Sequence, residues 1–151
     1  MGDKSRSAST TIAAPPATVF AILADPRQHP RIDGSGSVKD SIEGPERLEL
    51  GSQFGMDMKM GAPYKIKNKV VELEPDRVIA WRHMSPHVWR YELAPTADGG
   101  TEVTETWDLS KCNPVMRGVL AVSFGAKTQK ALEATLVKLK AAAETDTAAQ
   151  A

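Results

Sequence analysis

Only one cysteine, Cys112, occurs among the 151 residues, so no intramolecular disulfide can form and no thiolate cluster can hold a metal. Charge of one sign is also missing. Lys plus Arg number 19 and Asp plus Glu number 19, whereas a nucleic-acid binder usually carries a basic surplus to meet phosphate; no nucleic-acid partner is expected. No run approaches the roughly 18 apolar residues of a membrane-spanning helix, and Met1 to Ser9 lacks the apolar core of a signal peptide. No stable membrane insertion is therefore expected, and the cytoplasm is the simplest location. Gly-x-Ser-x-Gly, the phosphate-binding Gly-rich loop and the dinucleotide fingerprint are all absent, so no cofactor is expected. Histidine is scarce as well. His83 and His87 are four apart, but Ser85 and Pro86 between them rule out a helical metal pair, and with His29 they match no zinc spacing.

What is present is an ordinary globular composition, 41% hydrophobic and 25% charged. That suits one domain, 7–143, with flexible tails at 1–6 and 144–151. Ser7 to Ala13 reads as a strand, with Ala8, Thr10 and Ile12 on one face. Pro15 and Pro16 end it, and Ala17 to Ala24 reads as a short helix with proline at its start. Asp25-Pro26 closes that helix; Arg27 to Asp33 holds another helical turn, and Gly34 to Ser37 is a loop. Further strands are expected over Val38–Ile42, Ser52–Met60, Tyr64–Val70, Val78–Met84, His87–Ala94 and Thr101–Leu109. In Ser52–Met60 the residues Phe54, Met56, Met58 and Met60 alternate with Gln53, Gly55, Asp57 and Lys59. In the next strand Tyr64, Ile66, Asn68 and Val70 alternate with three lysines. Such period-two patterns with one charged face mark a half-solvated antiparallel sheet. Asp98-Gly99-Gly100 suits a hairpin turn.

A long helix follows, from about Pro114 to Ala143. Its stripe of Val115, Gly118, Val122, Gly125, Gln129, Leu132, Leu136, Leu139 and Ala143 keeps spacings of three and four. A second stripe, Met116, Leu120 and Phe124, makes the first half apolar nearly all round. The predicted fold class is α+β: a curved antiparallel sheet of about seven strands wrapped around a long C-terminal helix, with two short helices after the first strand.

The segments Ile12-Ala13-Ala14-Pro15-Pro16-Ala17-Thr18-Val19-Phe20, Leu23-Ala24-Asp25-Pro26, Trp89-Arg90-Tyr91-Glu92-Leu93 and Gly99-Gly100-Thr101-Glu102-Val103-Thr104-Glu105-Thr106-Trp107 occur in an order and spacing that resembles the START-like superfamily. The likeness is to its bacterial branch of polyketide cyclase/dehydrase and lipid transport proteins, and it extends from about Ser7 to Ala143. Many relatives carry a tryptophan soon after the Asp-Pro turn; here Ile32 stands at the nearest position. The resemblance implies a helix-grip fold around a cavity. It also implies a small hydrophobic molecule as partner, either a lipid or a polyketide-like aromatic, bound or carried by a monomer or homodimer. Members include carriers, cyclases and co-chaperones, so three functions are open: binding or transport, cyclase/dehydratase/isomerase chemistry, or an interaction module.

Given that fold, the inner face of the sheet supplies the site. Phe54, Met56, Met58, Tyr64, Ile66, Asn68, Trp81, Trp89, Tyr91 and Trp107 are the expected ligand wall, roofed by Val122, Gly125 and Gln129. Glu105 shares a face with Val103 and Trp107. A carboxylate among apolar groups has its charged form disfavoured and can serve as a general acid or base, with His83 as the second catalytic candidate. The alternative for Glu105 is a structural pair with His83, Arg82 or Asn68.

Overall fold

The computed structural model of the chain describes residues 5–34, 38–60, 62–82 and 87–150, with 38–43, 56–60 and 62–66 described in backbone only. Seven strands form one antiparallel sheet: β1 (Ser5–Ile12), β2 (Val38–Glu43), β3 (Gln53–Met60), β4 (Ala62–Glu74), β5 (Val78–Arg82), β6 (Val88–Pro95) and β7 (Thr101–Asp108). Their spatial order is β1-β7-β6-β5-β4-β3-β2. Hairpins therefore link every pair from β2 to β7, and β1 closes the far edge against β7. Between β6 and β7 the turn depends on Gly99 at φ 86°, a left-handed conformation that glycine adopts without a Cβ clash. A register shift between Val70 and Glu72 interrupts the β4–β5 ladder; such bulges bend a strand and increase its twist.

Three helical pieces separate β1 from β2: α1 (Pro16–Leu23), a 3-10 turn (Pro26–Gln28) and α2 (His29–Ile32). Asp25 accepts from the Arg27 backbone N–H at 3.0 Å and starts the turn. α3 (Pro114–Gln150) is 37 residues long. It packs on β1, α1, α2 and β7. Ile12, Phe20, Leu23, Ile79, Val103, Leu136 and Leu139 form the centre of the core, all but fully buried. A second cluster of Trp107, Leu109, Cys112 and Leu132 lies beneath the first half of α3, where Met116, Leu120 and Ala121 pack against it.

Two expectations about α3 are corrected. It does not stop at Ala143: 144–150 continue the helix. Alanine has the highest helix propensity, and the last turns are held by contacts. Arg31 forms a fork on Asp146 at 2.8 and 3.0 Å, and Glu144 accepts from the Ala13 backbone N–H at 2.9 Å. The apolar stripe also does not face the sheet throughout. Leu132, Leu136, Leu139 and Ala143 are buried, but Val115 and Val122 are 78% and 88% exposed. A 3.5-residue repeat drifts on a 3.6-residue helix by about 20° per heptad, which accumulates to about 80° between Val115 and Ala143. The early members have rotated off the core side, and Met116 and Leu120 contact the core in their place.

α2 and the two residues after it sit against α3 at close range. The Gly34 N–H donates to Thr135 Oγ1 at 2.9 Å, and a Cβ at Gly34 would lie 2.7 Å from the Ala131 carbonyl oxygen and against the Thr135 backbone nitrogen. Replacing Gly34 by Ala is expected to destabilise the protein by about 2 kcal/mol or more, because the obstacle is helix backbone that cannot turn aside. Gly118→Ala meets nothing within 4 Å and is expected to stabilise α3 by about 0.5–1 kcal/mol. Urea unfolding of the two variants, side by side, measures both signs.

Candidate functional site

The register of β5, β6 and β7 builds the site. Trp81 stands opposite Trp89, and Trp89 opposite Trp107. Two residues along the strands, on the same face, Ile79 stands opposite Tyr91 and Tyr91 opposite Glu105. Directly paired side chains on one face are near enough to interact, and here they do. Trp89 and Trp107 stack with ring centroids 5.7 Å apart and planes at 23°. Trp81 lies 5.4 Å from Tyr91.

α2 adds a ring from above. His29 stacks on Trp81 at 4.8 Å and 22°, and Phe54 meets both edge-on at 5.3 and 5.6 Å. His29 is buried, and its Nε2 donates to the Leu23 carbonyl at 2.9 Å. Burial holds its pKa below the ordinary imidazole value. At the other end of the aromatic row, the Trp107 indole N–H donates to His87 Nδ1 at 3.0 Å.

Glu105 is the polar centre. It is 3% exposed, and Oε2 accepts from the Tyr91 hydroxyl at 2.9 Å. Oε1 is buried with no hydrogen-bond partner among the described residues. Burial pushes the carboxyl pKa up to about 8; the Tyr91 hydrogen bond opposes this, and the charge of Asp33 adds to it. Near neutral pH the group is therefore mostly protonated. Because the tyrosine proton occupies the Oε2 side, the acid proton is best placed on Oε1. A buried carboxylic acid O–H is then free to donate, or after ionisation to accept. Tyr91 is itself held well above its ordinary value, first by burial and then by Glu105.

Part of the expected set is buried. Phe54, Asn68, Trp81, Tyr91, Trp107 and Glu105 are buried, and Trp89 is half-buried against Trp107. Met56, Met58, Tyr64 and Ile66, as side chains, and His83 altogether lie outside the described residues. Three roof assignments change. Val122 faces outward, for the helical drift given above. Gly125 is covered by the Arg6 guanidinium, one of whose terminal nitrogens would lie 2.8 Å from a Cβ there. Gln129 is bound to β1, donating to the Ser7 carbonyl at 3.0 Å and to Glu133. Glu105 does pair, but with Tyr91, and Arg82 is exposed on the opposite strand parity. Sequence reading missed two contributors. His29 lies in a proline-bounded turn without periodicity to reveal its direction. Arg6 shares the parity of Ala8 and Thr10, visible once β1 is extended by two residues. Among the described residues no group of three or more His, Cys, Asp or Glu could hold a metal, and no helix is long and apolar enough to cross a membrane.

These features match a recorded family. The family described as "Polyketide cyclase / dehydrase and lipid transport" matches residues 5–144, and the chain belongs to it. The chain is also 39% identical over 137 residues to an uncharacterized protein of Mycobacterium tuberculosis (strain H37Rv), Rv0088. That match covers 88% of this chain and 61% of the relative, so the chain spans about three-fifths of the relative's length. Solved structures share the fold. A Staphylococcus aureus protein of unknown function, SA2116, superposes with a TM-score of 0.73 at 13% identity, covering 95% of each chain. The Aha1 dimer of Colwellia psychrerythraea superposes with a TM-score of 0.65 at 17% identity, covering 93% of this chain and 96% of that one. At these identities the likeness is one of helix-grip architecture.

The raised pKa of Glu105 has a stability consequence. The folded state holds its proton to about pH 8, whereas an unfolded glutamate releases it near pH 4.3. Between those values the folded chain binds more protons, so stability falls as pH rises through the window and stays low above it. Glu105→Gln removes this dependence. Urea unfolding at pH 5, 7 and 9 is expected to show wild type losing stability relative to the variant, on the order of a few kcal/mol across the range.

Proposed function

We propose that the domain binds a small hydrophobic molecule, ring-bearing or acyl, between the inner face of the sheet and α3. Membership of a family described by polyketide cyclisation and lipid transport supports this reading. So does the aromatic row, since stacked indoles offer flat apolar surfaces to a ring or chain. The observation that carries it is Glu105 Oε1, buried and without a hydrogen-bond partner among the described residues. A buried polar atom without a partner costs free energy, and a ligand carbonyl or hydroxyl at that position would supply the missing hydrogen bond. The polar group of the ligand is thereby oriented, and its apolar body rests on the tryptophans.

A second reading is favoured by the same carboxyl group. With its pKa pushed up to about 8, Glu105 is poised to give a proton to a ligand oxygen and recover it near neutral pH, as a cyclase, dehydratase or isomerase requires. The adjoining Tyr91 hydroxyl would stabilise the carboxylate left behind. Binding alone needs no such transfer, so carriage is the primary function and catalysis the alternative.

Native mass spectrometry of the untreated protein, followed by solvent extraction, is expected to release a small apolar molecule in near-stoichiometric amount. Recovery of none, together with failure of phenylnaphthylamine to bind saturably and quench the tryptophans, would overturn the reading. Glu105→Gln then separates the two functions. Binding retained within about threefold, with conversion of the recovered molecule's precursor reduced by about a hundredfold or more, identifies an acid–base enzyme. No conversion by either protein identifies a carrier.

A further inference from the structure

Arg6 is the one inward-facing cation of β1. It stands opposite Trp107 in the β1–β7 ladder, two residues from Ala8, which stands opposite Glu105. Its side chain crosses to α3, where the guanidinium lies against Gly125. Nε is buried and has no hydrogen-bond partner among the described residues. The ion pairs described elsewhere engage Arg31, Arg90 and Lys140, and Glu105, two residues along β7 from the partner of Arg6, accepts from Tyr91. A guanidinium that lies against a helix backbone, with a shielded N–H that has no partner among the described residues, is costly unless an anion meets it. Gly125 is what lets it lie there: any side chain at that position would displace the charged head.

We propose that the molecule held in this domain is an amphipathic anion whose acidic group, a carboxylate or a comparably delocalised oxyanion, pairs with Arg6 where β1 meets α3, while its apolar body lies along Trp107 and Trp89. The proposal rests on the hydrophobic-ligand reading above and deepens it. Arg6 and Glu105 are diagonal neighbours across the ladder, with side-chain origins about 7–8 Å apart, a span that one ligand can bridge. An acid at one end would meet the planar fork of Arg6, which suits a carboxylate. A carbonyl or hydroxyl further along would meet Glu105 Oε1. Arg6 is half-buried rather than enclosed, so the charged end would sit toward solvent and the apolar end inside.

Two fluorescent probes that share one ring system test this: anilinonaphthalene sulfonate, an anion, and phenylnaphthylamine, its neutral twin. Wild type is expected to bind the sulfonate about tenfold or more tightly than the twin, and Arg6→Gln to abolish most of that preference while changing the neutral affinity by less than about twofold. Arg6→Lys retains part of the preference, and added salt reduces it in wild type. Thermal melts establish that each variant is folded. If Arg6→Gln fails to melt cooperatively, Gly125→Ala displaces the same guanidinium without removing it and is expected to weaken the sulfonate selectively. Equal affinity of wild type for the two probes, or a preference that survives Arg6→Gln, would overturn the anion assignment while leaving hydrophobic binding intact. Binding of neither probe to folded wild type would sink both readings.

Discussion

The register that joins β5, β6 and β7 decides everything that lies on the inner face. Strand side chains alternate with period two, so a slip of one residue in β7 would turn Glu105 outward and bring Thr104 or Thr106 into the core. The slip is opposed from both edges. On one side Trp107 stacks on Trp89 and donates to His87; on the other, Thr101 donates to the Ala14 carbonyl at 2.8 Å. On the other face of the sheet, Arg90 of β6 is bonded to Glu72 of β4, a contact that would also be lost if β6 moved. The polar pair of Tyr91 and Glu105 is therefore positioned by apolar packing and by polar contacts that lie outside the pair.

Burial of Glu105 has opposite effects on stability and on chemistry. Desolvation disfavours the carboxylate, so the fold retains the acid form, and the Tyr91 hydroxyl satisfies only one of its two oxygens. A core built for stability alone would place leucine or valine at this position, as it does at Leu93 and Val103. A buried polar atom with no partner among the described residues calls for an explanation, and the ligand proposed above would supply one. At Arg6 a charged head is kept close to a helix by the absence of a side chain at Gly125.

Much of this architecture was legible in the sequence. The alternation of Trp89, Tyr91 and Leu93 and of Val103, Glu105 and Trp107 placed these residues on one face, and the hairpin residues Asp98-Gly99-Gly100 set the turn between their strands. The long helix was visible too, but its phase was not. A pattern of threes and fours is satisfied by a stripe that winds around the rod, and only contacts decide which part of that stripe meets the sheet; Val122 is the residue lost to this ambiguity. The helical end at Gln150 was hidden for a different reason. Thr145 to Ala151 is polar and small, like a frayed tail in sequence, and the contacts that hold 144–150 come from distant partners such as Arg31 and Ala13. His29 gave no periodic signal because a proline-bounded turn has none, and its stacking on Trp81 is a tertiary event. Arg6 was obscured by starting β1 at Ser7.

Gly34 lies backbone against backbone on α3, so the separation between that helix and the residues below is fixed by a missing methyl group. A relative with a larger residue here would have to raise the whole rod, and the interior beneath would gain room along its length. Gly34 thus acts as a spacer, and natural variation there would change how closely α3 approaches the segment that follows α2.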